Sequence, residues 1–339
     1  LIVNSLTWFC KSIGINDKGN IICIMQQSHS CCIQLGKGQK TLVFRVITLF
    51  FMMVSSCYGR AYEIPPEGSS MVGHIQYHEV KKGETIAKIA DEFDVGFLNV
   101  MAANPDVDPF LPVPGTILSM PTRIILPQVY QDGIVINLAE LRLYYFNSDK
   151  NKVFVFPVGI GRIGRDTPEM KTHISQKIPN PTWTPPLSIR QESLKRGKIL
   201  PMIVPAGPDN PLGKFALRLA HGQGDYLIHG TNKNFGIGLR VSSGCIRMNP
   251  QDIKWLFHQV NVGEVVTVIN EPVKVTLEPD RTVYLEVHEP LTRSDGSKKQ
   301  VSIPQSLDWW LTEYQLPDVR AKAVVLLQNG LPQEVAGLK

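Results

Sequence analysis

One cysteine stands apart. Five of the six cysteines lie within the first 57 residues, and the sixth is Cys245. It sits in Ser242-Ser243-Gly244-Cys245-Ile246-Arg247, sixteen residues after His229-Gly230. A cysteine attacks carbonyls as a thiolate and needs a nearby imidazole to take its proton. Small residues before it leave backbone N–H groups able to converge on a developing oxyanion. Arg247 has the fork geometry to hold an acidic group of a substrate. Each residue also has an ordinary reading: a buried histidine, a small core cysteine, a surface ion pair. His221, His258 and His288 are read in that ordinary way.

These residues need strands to hold them. Asp225-Tyr226-Leu227-Ile228-His229-Gly230 reads as a strand ending on the histidine, with glycine allowing a sharp turn. After Cys245 the pattern turns helical from Pro250 to Val260, with Asn249 as the expected cap and Ile253, Leu256 and Phe257 facing a core. The positive end of that helix would help lower the thiol pKa. Upstream, residues 134–137 and 142–146 alternate like a hairpin, and further strands are read at 152–161 and 264–270. The expected class is mainly β, with one helix after the cysteine in a domain spanning 131–271. Residues 272–339 read as a small appendage, with a hairpin and two helices.

The glycine run Gly159-Ile160-Gly161-Arg162-Ile163-Gly164 fits G-x-G-x-x-G. A dinucleotide site also needs a helix opening there. Pro168 follows four residues later without any helical period, so a turn is expected. No organic cofactor or metal is implied. Cys31, Cys32 and His29 lack a second ligand pair at metal-site spacing.

Residues 1–57 hold five basic residues and one acid, so the remainder carries 30 basic against 29 acidic, a net of +1. No basic stripe points to nucleic acid. There is no apolar run of about 18 residues, the length a membrane helix needs. Lys37, Lys40 and Arg45 precede a short apolar stretch from Val46 to Val54, which is the pattern of a secretory signal. Because the sequence starts on Leu1, residues 1 to about 40 are expected to be upstream sequence. Residues 1–61 would be removed by cleavage after Ala61, or Val54-Ser55-Ser56-Cys57 would act as a lipobox with lipid on Cys57. The expected location is the periplasm, where an unused thiol is a liability.

Residues 75–122 form a β-α-α-β unit in which Thr85 caps the first helix and Ile86, Ile89, Ala90 and Phe93 recur at helical spacing. This unit resembles a LysM module through Tyr77, Val80, Gly83, Thr85, Ile89, Ala90, Asn104, Pro105, Gly115 and Pro121. The resemblance implies binding to N-acetylglucosamine polymers.

The cysteine region in turn resembles the L,D-transpeptidases of the YkuD catalytic fold, in particular the ErfK/YbiS/YcfS/YnhG group. His229-Gly230 and Ser242-Ser243-Gly244-Cys245-Ile246-Arg247 carry the likeness, with the flanks 180–186 and 204–213. Ser243 departs from the pattern, which has histidine there. The resemblance implies a β-sandwich and a Cys245 thioester on a peptidoglycan tetrapeptide stem. D-Alanine would be released and meso-diaminopimelate joined to an amine. His229 would be the base, oriented by Gly230. The N–H groups of Ser243, Gly244 and Cys245 would form an oxyanion hole. Arg247, Ser242, Trp183, Tyr226 and Asn232 would shape the donor site. The amine belongs either to another stem, giving a 3→3 crosslink, or to an outer-membrane lipoprotein or β-barrel. A sortase-like enzyme, an L,D-carboxypeptidase using water, and a silent peptidoglycan-binding protein are the alternatives. A sortase would carry its arginine far downstream of the cysteine, not two residues on.

Overall fold

The hairpin expected at 134–146 is a pair of central strands, β8 (Gly133–Asn137) and β9 (Arg142–Asn147), buried on both faces. Alternate side chains on a strand point to opposite faces. Ile134, Ile136, Leu143 and Tyr145 enter one core, and Val135, Tyr144 and Phe146 enter a second. The computed structural model describes residues 10–15, 21–25, 59–128, 132–222, 226–233 and 235–337. Contacts divide the chain into residues 1–57 and 58–339. In the first unit β1 (Cys10–Ile15) and β2 (Ile21–Met25) form an antiparallel hairpin. The expected leader Val46–Val54, Cys57, and the Cys31, Cys32, His29 group lie outside the described residues. Among the described residues no helix is long and apolar enough to cross a membrane.

The second unit opens with β3 (Arg60–Glu63), which pairs along β10 (Lys152–Pro157). The expected scissile bond after Ala61 falls inside this strand. Arg60 also donates to Phe93 O at 2.8 Å and Gln76 Oε1 at 2.9 Å. A short bridge of β4 (Met71–Val72) with β7 (Ile124–Ile125) flanks a small module made of β5 (Gln76–Glu79), α1 (Ile86–Glu92), α2 (Phe97–Ala103) and β6 (Ile117–Met120). Thr85 caps α1 as the sequence predicts, accepting from Lys88 N at 3.3 Å. This module packs on the larger domain. Leu98 N donates to Gly238 O at 3.4 Å, and Asn99 Nδ2 to Glu140 O at 3.1 Å. Gly238 has φ +71°, and a Cβ on it would lie 2.4 Å from Gly96 Cα.

The larger domain adds β11 (Ile160–Gly161), β12 (Met170–Pro179), α3 (Leu187–Lys195), β13 (Phe215–Leu219), β14 (Leu227–His229), β15 (Arg240–Ser242), β16 (Ile246–Arg247), α4 (Pro250–Gln259) and β17 (Val265–Ile269). Nine strands form one sheet in the order β16-β14-β13-β12-β17-β8-β9-β10-β3, while β11 and β15 pair separately. Helix α4 is the one expected after the cysteine. Its Trp255 ring lies 4.4 Å from Phe154 and 5.7 Å from Phe156, contacts worth about 0.5–1.5 kcal/mol each beyond area burial. The single-helix expectation is incomplete, because α3 is a second helix in this domain. Its Leu187 and Leu194 are exposed, so it has no core-facing stripe to betray it in sequence. Asn249 occupies the N-cap of α4 but makes no capping bond; its side chain reaches Asp91 Oδ1 in the small module at 3.4 Å.

Residues beyond 272 form their own core. Strands β18 (Val273–Leu277), β19 (Thr282–Val287) and β20 (Gln333–Gly337) carry α5 (Gln305–Glu313) and α6 (Val319–Leu327). This sheet is joined to the rest through a buried charge network. Arg142 meets Glu140 at 3.0 Å and Glu286 at 2.9 Å, Lys274 meets the same carboxylates at 2.9 and 3.2 Å, and His288 meets Glu286 at 2.7 Å. Glu140, Glu286 and His288 cluster closely enough to suggest metal ligands. Arg142 and Lys274 each already pair with both carboxylates, which is the composition of an ion-pair network. The network also reaches the segment after the small module, through Ile125 N to Glu286 Oε2 at 2.7 Å and Arg142 Nη2 to Pro121 O at 3.2 Å.

Candidate active site

Strands β14 and β16 run parallel at the edge of the large sheet, with Ile228 opposite Ile246 and His229 opposite Arg247. Ile228 and Ile246 point into the core. The period of two then turns His229 and Arg247 together onto the other face. Cys245, one residue before β16, comes out beside them, with its thiol within electrostatic range of the Arg247 guanidinium. The pairing is locked from both sides. Met248 N donates to His229 O at 2.9 Å, and Gly159 and Arg247 exchange two backbone bonds of 2.8 Å.

His229 is 4% exposed, and its Nδ1–H donates to Gly230 O at 2.6 Å. That bond leaves the Nε2 lone pair as the basic site. Burial pushes the imidazole pKa down to about 4, against the opposing pull of the Gly230 and Leu212 backbones. The ring is therefore neutral near pH 7, the state a general base requires. Gly230 packs tightly, since a Cβ there would lie 3.1 Å from Ile253 Cγ2 and push that methyl back by a few tenths of an ångström.

The turn before Cys245 depends on Gly244, whose φ of +106° suits glycine alone. Ser242 is buried. Its hydroxyl donates to Cys245 O at 2.5 Å and accepts from Gly244 N at 3.2 Å. One of the three amides expected in an oxyanion hole is thus engaged. Ser243 is exposed and accepts from Arg165 Nη1 at 3.2 Å. Tyr226 borders the same turn: a Cβ on Gly244 would lie 3.4 Å from its ring.

Family models match the chain in three places: an L,D-transpeptidase catalytic domain at 131–269, an L,D-transpeptidase C-terminal domain at 272–335, and a LysM domain at 78–121. The probable L,D-transpeptidase YcfS of Escherichia coli K12 is 44% identical over 280 residues, 81% of this chain and 88% of that protein. The probable L,D-transpeptidase ErfK/SrfK of the same strain is 45% identical over 286 residues, 81% and 90% of the two chains. The chain belongs to the L,D-transpeptidase family. YbiS of that strain, also a probable L,D-transpeptidase, is 48% identical over 238 residues, 69% of this chain and 77% of that protein. Among solved structures, L,D-transpeptidase 3 from Mycobacterium tuberculosis matches at 15% identity and TM-score 0.31, over 46% of this chain and 75% of that one.

In this L,D-transpeptidase the geometry gathers Cys245, His229, Gly230, Ser242, Ser243, Gly244, Arg247 and Tyr226 around one turn. Trp183 and Asn232 are placed differently. Trp183 is half-buried and exchanges backbone bonds of 2.9 and 2.8 Å with Val204, while Asn232 is exposed and donates to Pro208 O at 3.1 Å. Their hydrogen bonds go to the 180–210 segment, not to the cysteine turn. Thr167 belongs to the site but escapes the sequence reading. Its hydroxyl donates to Gly244 O at 3.0 Å and accepts from Gly161 N at 3.0 Å. It is separated by 77 residues from its partner Gly244. The glycine run is also explained. A Cβ on Gly159 would lie 2.2 Å from Gly236 O, and one on Gly161 would lie 2.3 Å from Arg165 O. These glycines let three backbone segments close around Arg247 and the thiol turn.

Proposed function

We propose that the enzyme transfers the acyl group of a peptidoglycan tetrapeptide stem through a thioester on Cys245. His229 Nε2 takes the thiol proton as Sγ attacks the carbonyl carbon of the L-centre of meso-diaminopimelate. The tetrahedral oxyanion is met by backbone N–H groups of the Ser243–Cys245 turn, with Gly244 N–H joining by leaving Ser242 Oγ. The bond to D-alanine breaks, and the imidazolium returns its proton to the leaving amine. An acceptor amine then attacks the thioester, passes a proton to His229, and releases the thiol. Arg247 holds a carboxylate of the donor, and Tyr226 lines its seat. Removing one oxyanion donor from a site of this kind costs about 10²–10³ in rate.

The observation that carries this reading is the register of β14 with β16, which sets a neutral, Nδ1-anchored imidazole beside the cysteine turn. The LysM match supports a glycan contact that holds the enzyme on the wall. On this reading the enzyme acts in the periplasm in cell wall biogenesis, and its acceptor is a second stem or the amine of an outer-membrane protein. The test is the covalent intermediate. Incubation of the full chain with a carbapenem, or with a disaccharide-tetrapeptide, should add one acyl group by intact mass, and Cys245→Ala should abolish it. An unmodified wild type, or an adduct that survives in Cys245→Ala, would overturn the reading.

A further inference from the structure

Between β12 and β13 the chain leaves the sheet and returns to it. At the stem of this excursion Trp183 and Val204 exchange backbone bonds of 2.9 and 2.8 Å, and the buried Asn210 donates to Pro181 O at 2.8 Å and Pro205 O at 3.1 Å. Residues 184–203, which include α3, lie beyond that stem. Leu187, Leu194, Ile199, Met202 and Ile203 among them are 59–83% exposed. Apolar residues scattered singly over a surface need no explanation, but a group on one short segment marks an interaction site.

Leu187, Arg190 and Leu194 recur at i, i+3 and i+7, so they share one face of α3. Glu192 and Ser193 lie opposite and face the domain. Ser193 is buried, and Glu192 accepts from Arg162 Nη1 at 3.0 Å and Arg165 Nη2 at 3.3 Å. Ser193 Oγ also donates to Lys198 O at 2.8 Å, and Arg190 Nη1 contacts Met202 Sδ. These contacts fold the chain after the helix back along it and add Met202 to the outward face, with Ile199 and Ile203 in the same short stretch.

Residues 184–203 hold four basic residues, Arg190, Lys195, Arg196 and Lys198, against one acid, Glu192. Glu192 is already taken by Arg162 and Arg165, with Arg196 at 3.6 Å. Among the described residues Arg190, Lys195 and Lys198 have no salt-bridge partner. The other acids near the excursion do not cancel this charge. Asp166, beside Arg165, is paired with Arg240 at 2.6 Å, and Asp209 lies past the stem, next to Asn210.

This composition selects among occupants. The core of a protein–protein interface is depleted in lysine, so a second copy of the chain would bury Lys195 and Lys198 at a cost. A wall polymer offers anionic groups but no apolar phase for Ile199 and Met202. An anionic bilayer offers both: phosphates for the cations, and acyl chains for apolar side chains that enter the interface.

We propose that residues 184–203 seat the enzyme on an anionic phospholipid bilayer. Leu194, Ile199 and Met202 enter the interface, and Arg190, Lys195 and Lys198 meet the phosphates. The contact does not depend on the transpeptidase reading. It places the cysteine turn at the membrane surface, because Arg165 bonds Glu192 of α3 on one side and Ser243 Oγ, at 3.2 Å, on the other.

The test measures partitioning of the full chain onto sedimenting vesicles of equimolar phosphatidylglycerol and phosphatidylcholine, and onto vesicles of phosphatidylcholine alone. The apolar stretch Val46–Val54 is common to wild type and variants, so the difference between them reports the excursion. Lys195→Ala combined with Lys198→Ala should lower the partition constant on anionic vesicles about thirtyfold at low salt, the worth of two basic side chains at such a surface. It should leave partitioning onto phosphatidylcholine unchanged, and the loss should shrink at high salt. Ile199→Ser combined with Met202→Ser should lower partitioning onto both vesicles, by about tenfold or more. All four positions are exposed, so the melting temperature and carbapenem acylation in solution should stay at wild-type values, which separates a lost seat from a lost fold. Equal partitioning of wild type and both double variants would overturn the proposal. So would a wild-type dimer in sedimentation equilibrium that both variants dissociate, since a second copy would then cover the face. Loss of binding to isolated peptidoglycan, without any loss on vesicles, would give the face to the wall polymer and overturn it equally.

Discussion

Asp252 offers a quantitative test of how the LysM module meets the catalytic domain. It lies in the first turn of α4, the helix that follows Cys245, and is 3% exposed. Its Oδ2 has no hydrogen-bond partner among the described residues. Burial pushes its pKa up to about 7, reinforced by Asp94 and Asp91 of the small module and opposed by Asn249. Asp94 is likewise raised to about 6, chiefly by burial, with Arg60 pulling it down. A folded pKa above the unfolded value means that the folded state keeps a proton the unfolded chain has lost. Stability therefore falls as pH rises from about 4 to about 7, and is level above that. The gap between 3.8 and about 7 sets a ceiling of about 4 kcal/mol at pH 8. The helix N-terminus returns about 0.3–1 kcal/mol, so at most about 3–4 kcal/mol is expected to be recoverable. Asp252→Asn should be near neutral at pH 3.5 and stabilising at pH 8. The gain corresponds to a Tm rise of at most about 6–16 °C for a domain of this size. Thermal melts of the full chain at the two pH values measure it. Equal gains at both, or a loss at pH 8, would refute the reasoning.

Four further outcomes are expected. The acid limb of the acylation rate should fall near pH 4, because the neutral form of His229 persists down to its depressed pKa; a midpoint near 6.5 in a pH–rate profile would contradict this. Ser243→His exchanges the Arg165 hydrogen bond for an imidazole, and should raise the acylation rate if that imidazole tunes the thiol; stopped-flow acylation measures it, and an unchanged rate assigns the position to its backbone alone. Gly238→Ala puts a Cβ 2.4 Å from Gly96 Cα at a φ of +71°. It should cost about 1–3 kcal/mol in backbone strain alone and make the LysM module more susceptible to limited proteolysis. A chain beginning at Tyr62 loses half of β3 and the Arg60 bonds, so it should melt lower than one beginning at Arg60 when the two are compared by thermal denaturation.

The features legible in the sequence were those with local causes. Thr85 announces its helix because a cap and its partner are three residues apart. The β8–β9 hairpin announces itself by alternation, although its second covered face depends on Ile124 and Leu126, which no local pattern links to it. Cys245 and His229 stood out because nucleophile chemistry needs small, turn-forming neighbours. What stayed hidden was non-local or unpatterned. Thr167 has no sequence tie to Gly244. Helix α3 has no buried stripe. Strand β12 buries only Met170 and Ile174 of its ten residues, so it does not alternate cleanly.

The Glu140–Glu286 network bears on how separable these parts are. Two segments that match separate family models insert their charges into one dry junction, and among the described residues the LysM segment reaches those charges only through the Pro121 carbonyl. Removing one partner from such a junction strands an ion, at about 3–5 kcal/mol. Deleting the C-terminal module strips Lys274, Glu286 and His288 at once and leaves Glu140 facing Arg142 in an opened seam. The catalytic domain and the C-terminal module are therefore expected to melt as one cooperative block. Moving either of them alone into another protein would require recoding the junction in the recipient.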